Sequence, residues 1–295
     1  MLLAFAWTTL ALVAGQQVDT TLAVGRSQRL DVNSYGGEII VRAWAQSAVR
    51  VEAKTPDEER VEVSSSQTAV RVRTQGRHGP SEAITLRISV PSWMALNLAG
   101  VNTTVKVEGV RAPITVETVE GEVDVSGGDG LISLRSVQGS VKLRGGRGRI
   151  TLNSVNEDVE VSQSTGDVVA QTVNGEINLQ TVNATSIDAN TVNGDITYSG
   201  PIRSGGRYAL STHNGDISLT VAEGTNASVA VSTFSGEFES EFPVPFRGTQ
   251  KGKGFNFTLG NGSAQVSLES FQGTIELVRP GSERDPARRE RHEHD

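Results

Sequence analysis

The chain has 295 residues, 36% hydrophobic and 5% aromatic, and carries a formal net charge of -7. That apolar share supports a sizeable core and excludes wholesale disorder, and the mild acidity excludes a global attraction for nucleic acid or an anionic membrane. Without cysteine, disulfides, zinc thiolates and thiol catalysis are ruled out, while compartment stays undecided.

Met1 to Val13, "MLLAFAWTTLALV", is an uncharged apolar run of signal-peptide length, followed by the small residues Ala14 and Gly15 and by Gln16 and Gln17. It predicts a signal peptide over 1–17, too short to span a bilayer, so the exported protein is not expected to be transmembrane after cleavage. The usual positive n-region is missing. From 18 to 117, "QRLDVNSYGGEIIVRAW", "AVRVEAK", "RVEVSSS", "AVRVRTQ" and "AITLRISVP" alternate as strands. They suit either loose coils or an antiparallel cap.

From 118 to 278 the chain repeats. "TVEGEVDV" at Thr118, "SVQGSVKL" at Ser136, "SVNEDVEV" at Ser154, "TVNGEINL" at Thr172, "TVNGDITY" at Thr191, "THNGDISL" at Thr212, "TFSGEFES" at Thr233 and "SFQGTIEL" at Ser270 align, with an echo, "SYGGEIIV", at Ser34. The first three steps are 18 residues, then 19, 21 and 21. Half-repeats such as "GLISLRS" from Gly130 lie between the octets, so each unit contains two strand-like stretches.

Asn-Gly is a strong hairpin signal, but a two-residue loop at Asn174-Gly175 would put Val173 on one face with Glu176, which no half-buried sheet tolerates. Read as a bent strand, Val173, Gly175, Ile177 and Leu179 point inward, and Asn174, Glu176 and Asn178 point outward. Parity flips between Ala170 and Val173, and between Leu179 and Val182, mark corners. The fold class is therefore all-β: a single-domain parallel β-solenoid (β-helix) with about 18 to 21 residues per coil and two strands per coil. The irregular stretch 241–259 is expected to close its C-terminal end, with Ser270 to Leu277 as the last rung. The charged segment 279–295, "RPGSERDPARRERHEHD", reads as a disordered tail carrying His292 and His294.

On "RISVPSWMALNLAGVNTTVKVEGV" from Arg87 and the recurring "VNGEI" and "VNGDI", the chain resembles the adhesin-like β-repeat family of bacterial envelope and secreted proteins, over roughly Val18 to Val278. The resemblance implies a solenoid at the envelope with proposed adhesion or scaffolding roles, no established catalytic residues and no cofactor. The chain departs from it at Glu157, which replaces a glycine, and at His213, Phe234 and Phe271, which replace valine and suggest a wider coil toward the C-terminus.

Two outward columns are candidate binding surfaces. Asn156, Asn174, Asn193 and Asn214 form an amide ladder that could double as a carbohydrate-binding stripe. Asp158, Glu176, Asp195, Asp216 and Glu237 form an acid column, read first as a solvated edge because no calcium-binding pattern accompanies it. No metal site, cofactor or catalytic residue is assigned. Arg135, Lys142, Arg144, Arg147 and Arg149 suit a soluble strand face better than a patch for anionic glycan, and no aromatic interleaving supports nucleic-acid binding. His213 reads as a packed corner residue. The sequons at Asn102, Asn183, Asn226, Asn256 and Asn261 matter only in a glycosylating pathway. The expected function is a non-enzymatic, exported binding or scaffolding protein, periplasmic, cell-surface or secreted, whose partner is an envelope polymer, glycan or protein. The alternative is a polysaccharide-active β-helix enzyme, a lyase or glycosidase.

Overall fold

The computed structural model describes residues 18–54, 59–76, 84–244 and 254–281. The leader at 1–17 and the tail beyond 281 lie outside the described residues. Those residues hold 24 strands and no helix.

In the middle of the molecule the strands stack in parallel at the repeat spacing. Asp129–Arg135, Arg147–Asn153, Thr165–Gln171 and Ser186–Asn193 build one sheet. The shorter Val123–Gly127, Val141–Arg144, Val159–Ser162, Ile177–Gln180 and Ile196–Ser199 build the other. Each coil gives one strand to each sheet. Ile132 stands opposite Ile150, Ile150 opposite Val168, and Val168 opposite Ile187, so the sequence period is the register. The chain forms the parallel β-solenoid that its alternation predicts.

Between the sheets lies a core of fully buried aliphatic columns, among them Ile132, Leu134, Val141, Leu143, Ile177 and Leu179. Burying each such side chain stabilises by about 1.5 to 3 kcal/mol relative to exposure. A single coil cannot cover its own apolar face, so stability is shared between neighbours.

The chain does not reverse at Asn174-Gly175: the strands before and after it each pair in parallel with the rungs on both sides. Ile177 and Leu179 are buried as expected, but Val173 is 39% exposed and Thr172 only 5%. The expectation that Val173 points inward is therefore corrected. The parity flips between Thr172 and Gly175, two residues later than the apolar pattern suggested. A threonine is admissible inside because its hydroxyl donates to the carbonyl of Glu157 at 2.9 Å, so no polar group is stranded.

At both ends, order in space departs from order in sequence. The 16-residue strand Arg29–Trp44 lies between Leu96–Val110 on its inner side and the pair Ala69–Gly76 and Thr85–Pro91 on its outer side. Correspondingly, Ala264–Gln272 and Ile275–Val278 slot between the rung of Arg207–Asn214 and Ile217–Thr220 and the rung of Ala227–Thr233 and Phe238–Ser240. The expectation that Ser270 to Leu277 forms the last rung is corrected: the Thr233 rung is outermost, and the Ser270 rung is tucked inside it.

The outer edges are covered by antiparallel strands. Glu59–Ser65 lies on Ala69–Gly76, Ala48–Lys54 on Thr85–Pro91, and Val18–Ala23 on Ala48–Lys54. At the other end Phe255–Leu259 lies on Ala227–Thr233. Exposed strand edges invite pairing with other chains, and these strands remove most of that edge.

One coil bulges outward at 200–206, where the period lengthens to 21. The buried Tyr198 and Tyr208 rings sit 5.7 Å apart beneath this loop. Tyr208 donates to the carbonyl of Ala184 at 2.8 Å and accepts from the Arg203 amide at 2.7 Å, while Tyr198 reaches the carbonyls of Val182 and Pro201. Burial pushes both phenols above their ordinary pKa, Tyr198 further through its neighbour Tyr208.

Candidate functional site

The repeated octet makes one corner of every coil, and stacking turns that corner into a ridge along the molecule. Its first residue anchors it from inside. Thr118, Ser136, Ser154, Thr172, Thr191, Thr212 and Ser270 are all buried, and each hydroxyl donates at 2.9–3.1 Å to a corner carbonyl on the neighbouring rung. Only a β-hydroxyl is short enough to make that bond without leaving the interior, which explains why all seven of these positions are serine or threonine.

The fourth position lies against the same carbonyls. A Cβ added at Gly194 or Gly215 would approach the carbonyl oxygen of Gly175 or Gly194 to 2.0 or 2.1 Å. Glycine is required where backbones come this close. Two rungs solve the problem differently. At the Leu96–Val110 rung the residues are exchanged: Gly100 takes the hydroxyl position and Thr103 the glycine position, with the Thr103 side chain filling the space above Gly100. At Glu157 the corner opens. Backbone bridges join Asn102, Glu120 and Gln138, and then Asn174 and Asn193, while at Asn156 the pairing is reduced to the bonds from the Asn156 amide to the Val137 carbonyl at 3.2 Å and from the Asn174 amide to the Val155 carbonyl at 2.8 Å.

The third position carries the amide ladder. Asn174 donates to Asn156 at 3.1 Å, Asn193 to Asn174 at 2.8 Å and Asn214 to Asn193 at 2.8 Å, so the four candidate asparagines are brought into one exposed, hydrogen-bonded column. The candidate acids are not simply splayed into solvent. Asp158 accepts the backbone N–H of Glu176 at 2.8 Å, Asp195 that of Asp216 at 2.8 Å, and Asp216 that of Thr274 at 2.7 Å. Each of these aspartates staples its rung to the next, and this charge-assisted bonding offsets the mutual repulsion of the column.

The second position carries the feature that alternation concealed. Tyr35, Val101, Val119, Val137, Val155, Val173, Val192, His213, Phe271 and Phe234 follow one another from rung to rung, as the pairings of their flanking residues show. All are exposed or half-buried, and Tyr35, Val119, Val192 and Phe234 are 55%, 44%, 42% and 64% exposed. His213 stacks on Phe271 with centroids 4.6 Å apart, and Phe271 on Phe234 at 4.7 Å. The aromatic replacements therefore stand outside the coil and do not widen it, and His213 is a stacked surface residue, not an interior one. The sequence held a usable signal for this column: a position that accepts valine, histidine, phenylalanine and tyrosine cannot be a close-packed interior site.

The basic cluster divides between the two sheets. Lys142 and Arg144 lie on the short-strand sheet, where Lys142 pairs with Glu122 at 3.1 Å, and Arg135, Arg147 and Arg149 lie on the other.

A family model matches residues 27–278, under the description Toastrack DUF4097. No curated protein matches the chain. Among solved structures, a "putative adhesin" from Parabacteroides merdae ATCC 43184 is 9% identical, covering 90% of this chain and 97% of that one with a TM-score of 0.44. Another from Bacteroides fragilis NCTC 9343 is 10% identical, covering 89% of this chain and 97% of that one with a TM-score of 0.39. The family match takes in every rung, leaving out only Val18–Ala23 among the strands, and the chain belongs to the Toastrack DUF4097 family.

Proposed function

We propose that the chain is a non-enzymatic, adhesin-like binding or scaffolding solenoid, exported to the bacterial envelope, that contacts an envelope polymer, glycan or protein along its corner ridge. One observation carries this reading: ten successive rungs present an apolar or aromatic side chain on a single edge, with a hydrogen-bonded amide column beside it over four of them. Even repetition builds an extended contact line, whereas catalysis needs a few unlike groups converging on one reacting atom. The apolar run at 1–13 and the resemblance to envelope proteins support export.

The test is retention of the full chain on isolated envelope material and on a glycan array. Asn174→Ala with Asn193→Ala, and Phe234→Ala with Phe271→Ala, are expected to reduce retention at least tenfold. Turnover of a polysaccharide, abolished by replacing one acid such as Asp195, would overturn the proposal in favour of a polysaccharide-active enzyme.

A further inference from the structure

The amide column and three aspartates of the acid column are hydrogen-bonded within the chain, whereas the apolar column beside them stands exposed or half-buried. Val101, Val119, Val173 and Val192 are 39–44% exposed, and they lie in a straight file at one side chain per rung. Isolated surface valines need no explanation, but a contiguous file of six, continued by Tyr35, His213, Phe271 and Phe234 to ten rungs, does.

The spacing of the file selects its occupant. Stacked strands present a side chain about every 4.8 Å. An extended peptide laid along the ridge offers one about every 6.6 Å on a given face, and falls out of step within about three residues. A helix offers a turn every 5.4 Å or so, and drifts by a whole rung over the length of the ridge. Flat sugar rings seek open aromatic faces, but here both faces of Phe271 are covered by His213 and Phe234, so the stack offers open faces only at its ends. A surface that keeps step with the file from end to end is another β-stack of the same period, and a second copy of this chain has that period by construction. Side chains of two such files can interdigitate dry, as in a steric zipper.

The size of the surface agrees. Ten rungs at about 4.8 Å, with the flanking columns included, give a footprint on the order of 800 Å², the area each partner contributes to a stable interface. We propose that the valine ridge is a self-association surface on which a second copy of this chain docks ridge to ridge, related by a two-fold axis. The proposal does not depend on export or on any envelope ligand.

The full chain is tested by sedimentation equilibrium, alone and as the triple variant Val119→Asp, Val173→Asp, Val192→Asp. Those three side chains are exposed, so circular dichroism and the melting temperature should stay close to wild type. The expected result is a dimer for the wild type and a dissociation constant raised at least 100-fold by the variant. Because the chain contains no cysteine, Val173→Cys introduces a single thiol near the middle of the ridge. Either two-fold arrangement brings it within about one rung of its own copy, so a bifunctional thiol-reactive crosslinker should yield a covalent dimer. A wild type that stays monomeric at about 100 μM, a dimer untouched by the triple variant, or a monomer that binds a glycan through the same valines would each overturn the proposal. A wild type that is monomeric yet retained on envelope material would overturn this proposal and leave the binding role standing, so the two readings can fail separately.

Discussion

The middle of the solenoid and its two ends are built from the same octet but closed by different logic. In the middle, each coil lies on the coil that precedes it in sequence, 18 or 19 residues back, and every backbone bond is made to that neighbour or to the next. At the ends the chain lays down an outer rung and a covering strand, and the inserted rung holds partners far away in sequence. Ser270 donates to Gly215 across 55 residues, and Arg29–Trp44 pairs with Leu96–Val110. The middle is stabilised by repetition of near contacts. The ends pay more loop-closure entropy, and in return no rung faces solvent with a bare edge where an antiparallel strand covers it.

The largest effect should come from breaking a corner in the middle. Gly194→Val places a Cβ where it would meet the carbonyl of Gly175 at 2.0 Å, against backbone that two further rungs hold in place. A cost of about 5 kcal/mol, or failure to fold, is expected in urea melts. Glu157→Gly, at the one central corner that already opens to admit a side chain, should change stability by less than about 1 kcal/mol. Equal effects at the two positions would show that the corner glycines are replaceable and that the middle is not held by close backbone approach.

The period, the two strands per coil and the aliphatic columns were legible because the core is made of side chains that hydropathy identifies. The hydroxyl column was not. Thr172 counts as polar in any alternation, and its interior place depends on a carbonyl one rung away, which no local pattern contains. Placing Val173 inward because it is apolar hides the exposed valine file. The order of the end rungs was equally out of reach, since "SFQGTIEL" fits either side of "TFSGEFES" by pattern. What decides is that Phe255–Leu259 must return antiparallel on Ala227–Thr233 before the chain can slip back between the rungs. The asparagine column was recognised as a ladder, and its hydrogen bonds follow from register alone.

The next effect separates the ends from the middle. Leu152→Ala and Leu268→Ala both empty a fully buried site, and each should cost about 3 kcal/mol. Their consequences should differ in reach. Leu268 belongs to the inserted rung, the sole parallel neighbour of the outermost Ala227–Thr233 among the described residues. Hydrogen exchange in Leu268→Ala should therefore rise across 227–240 and 264–278 while the central coils stay protected, as expected for a local unfolding unit. Leu152→Ala should lower protection on both sides of its rung together. Uniform loss of protection in both variants would mean that the ends and the middle unfold as one unit.

The smallest effect tests the bond that fixes the ridge. Thr172→Val keeps the shape of the side chain but removes the donor to the Glu157 carbonyl, leaving a part-buried acceptor without it, at a cost of about 1 kcal/mol. Thr172→Ser should restore most of it, because Ser136, Ser154 and Ser270 make the same bond on other rungs. At the outermost rung the hydroxyl turns to its own corner, where Thr233 accepts the Gly236 amide at 2.9 Å in a half-exposed setting. Thr233→Val should cost less than about 1 kcal/mol, since water can replace that partner. If instead Thr172→Val proves neutral while Val173→Ser destabilises, the corner faces are reversed, and the exposed file on which the self-association proposal stands does not exist.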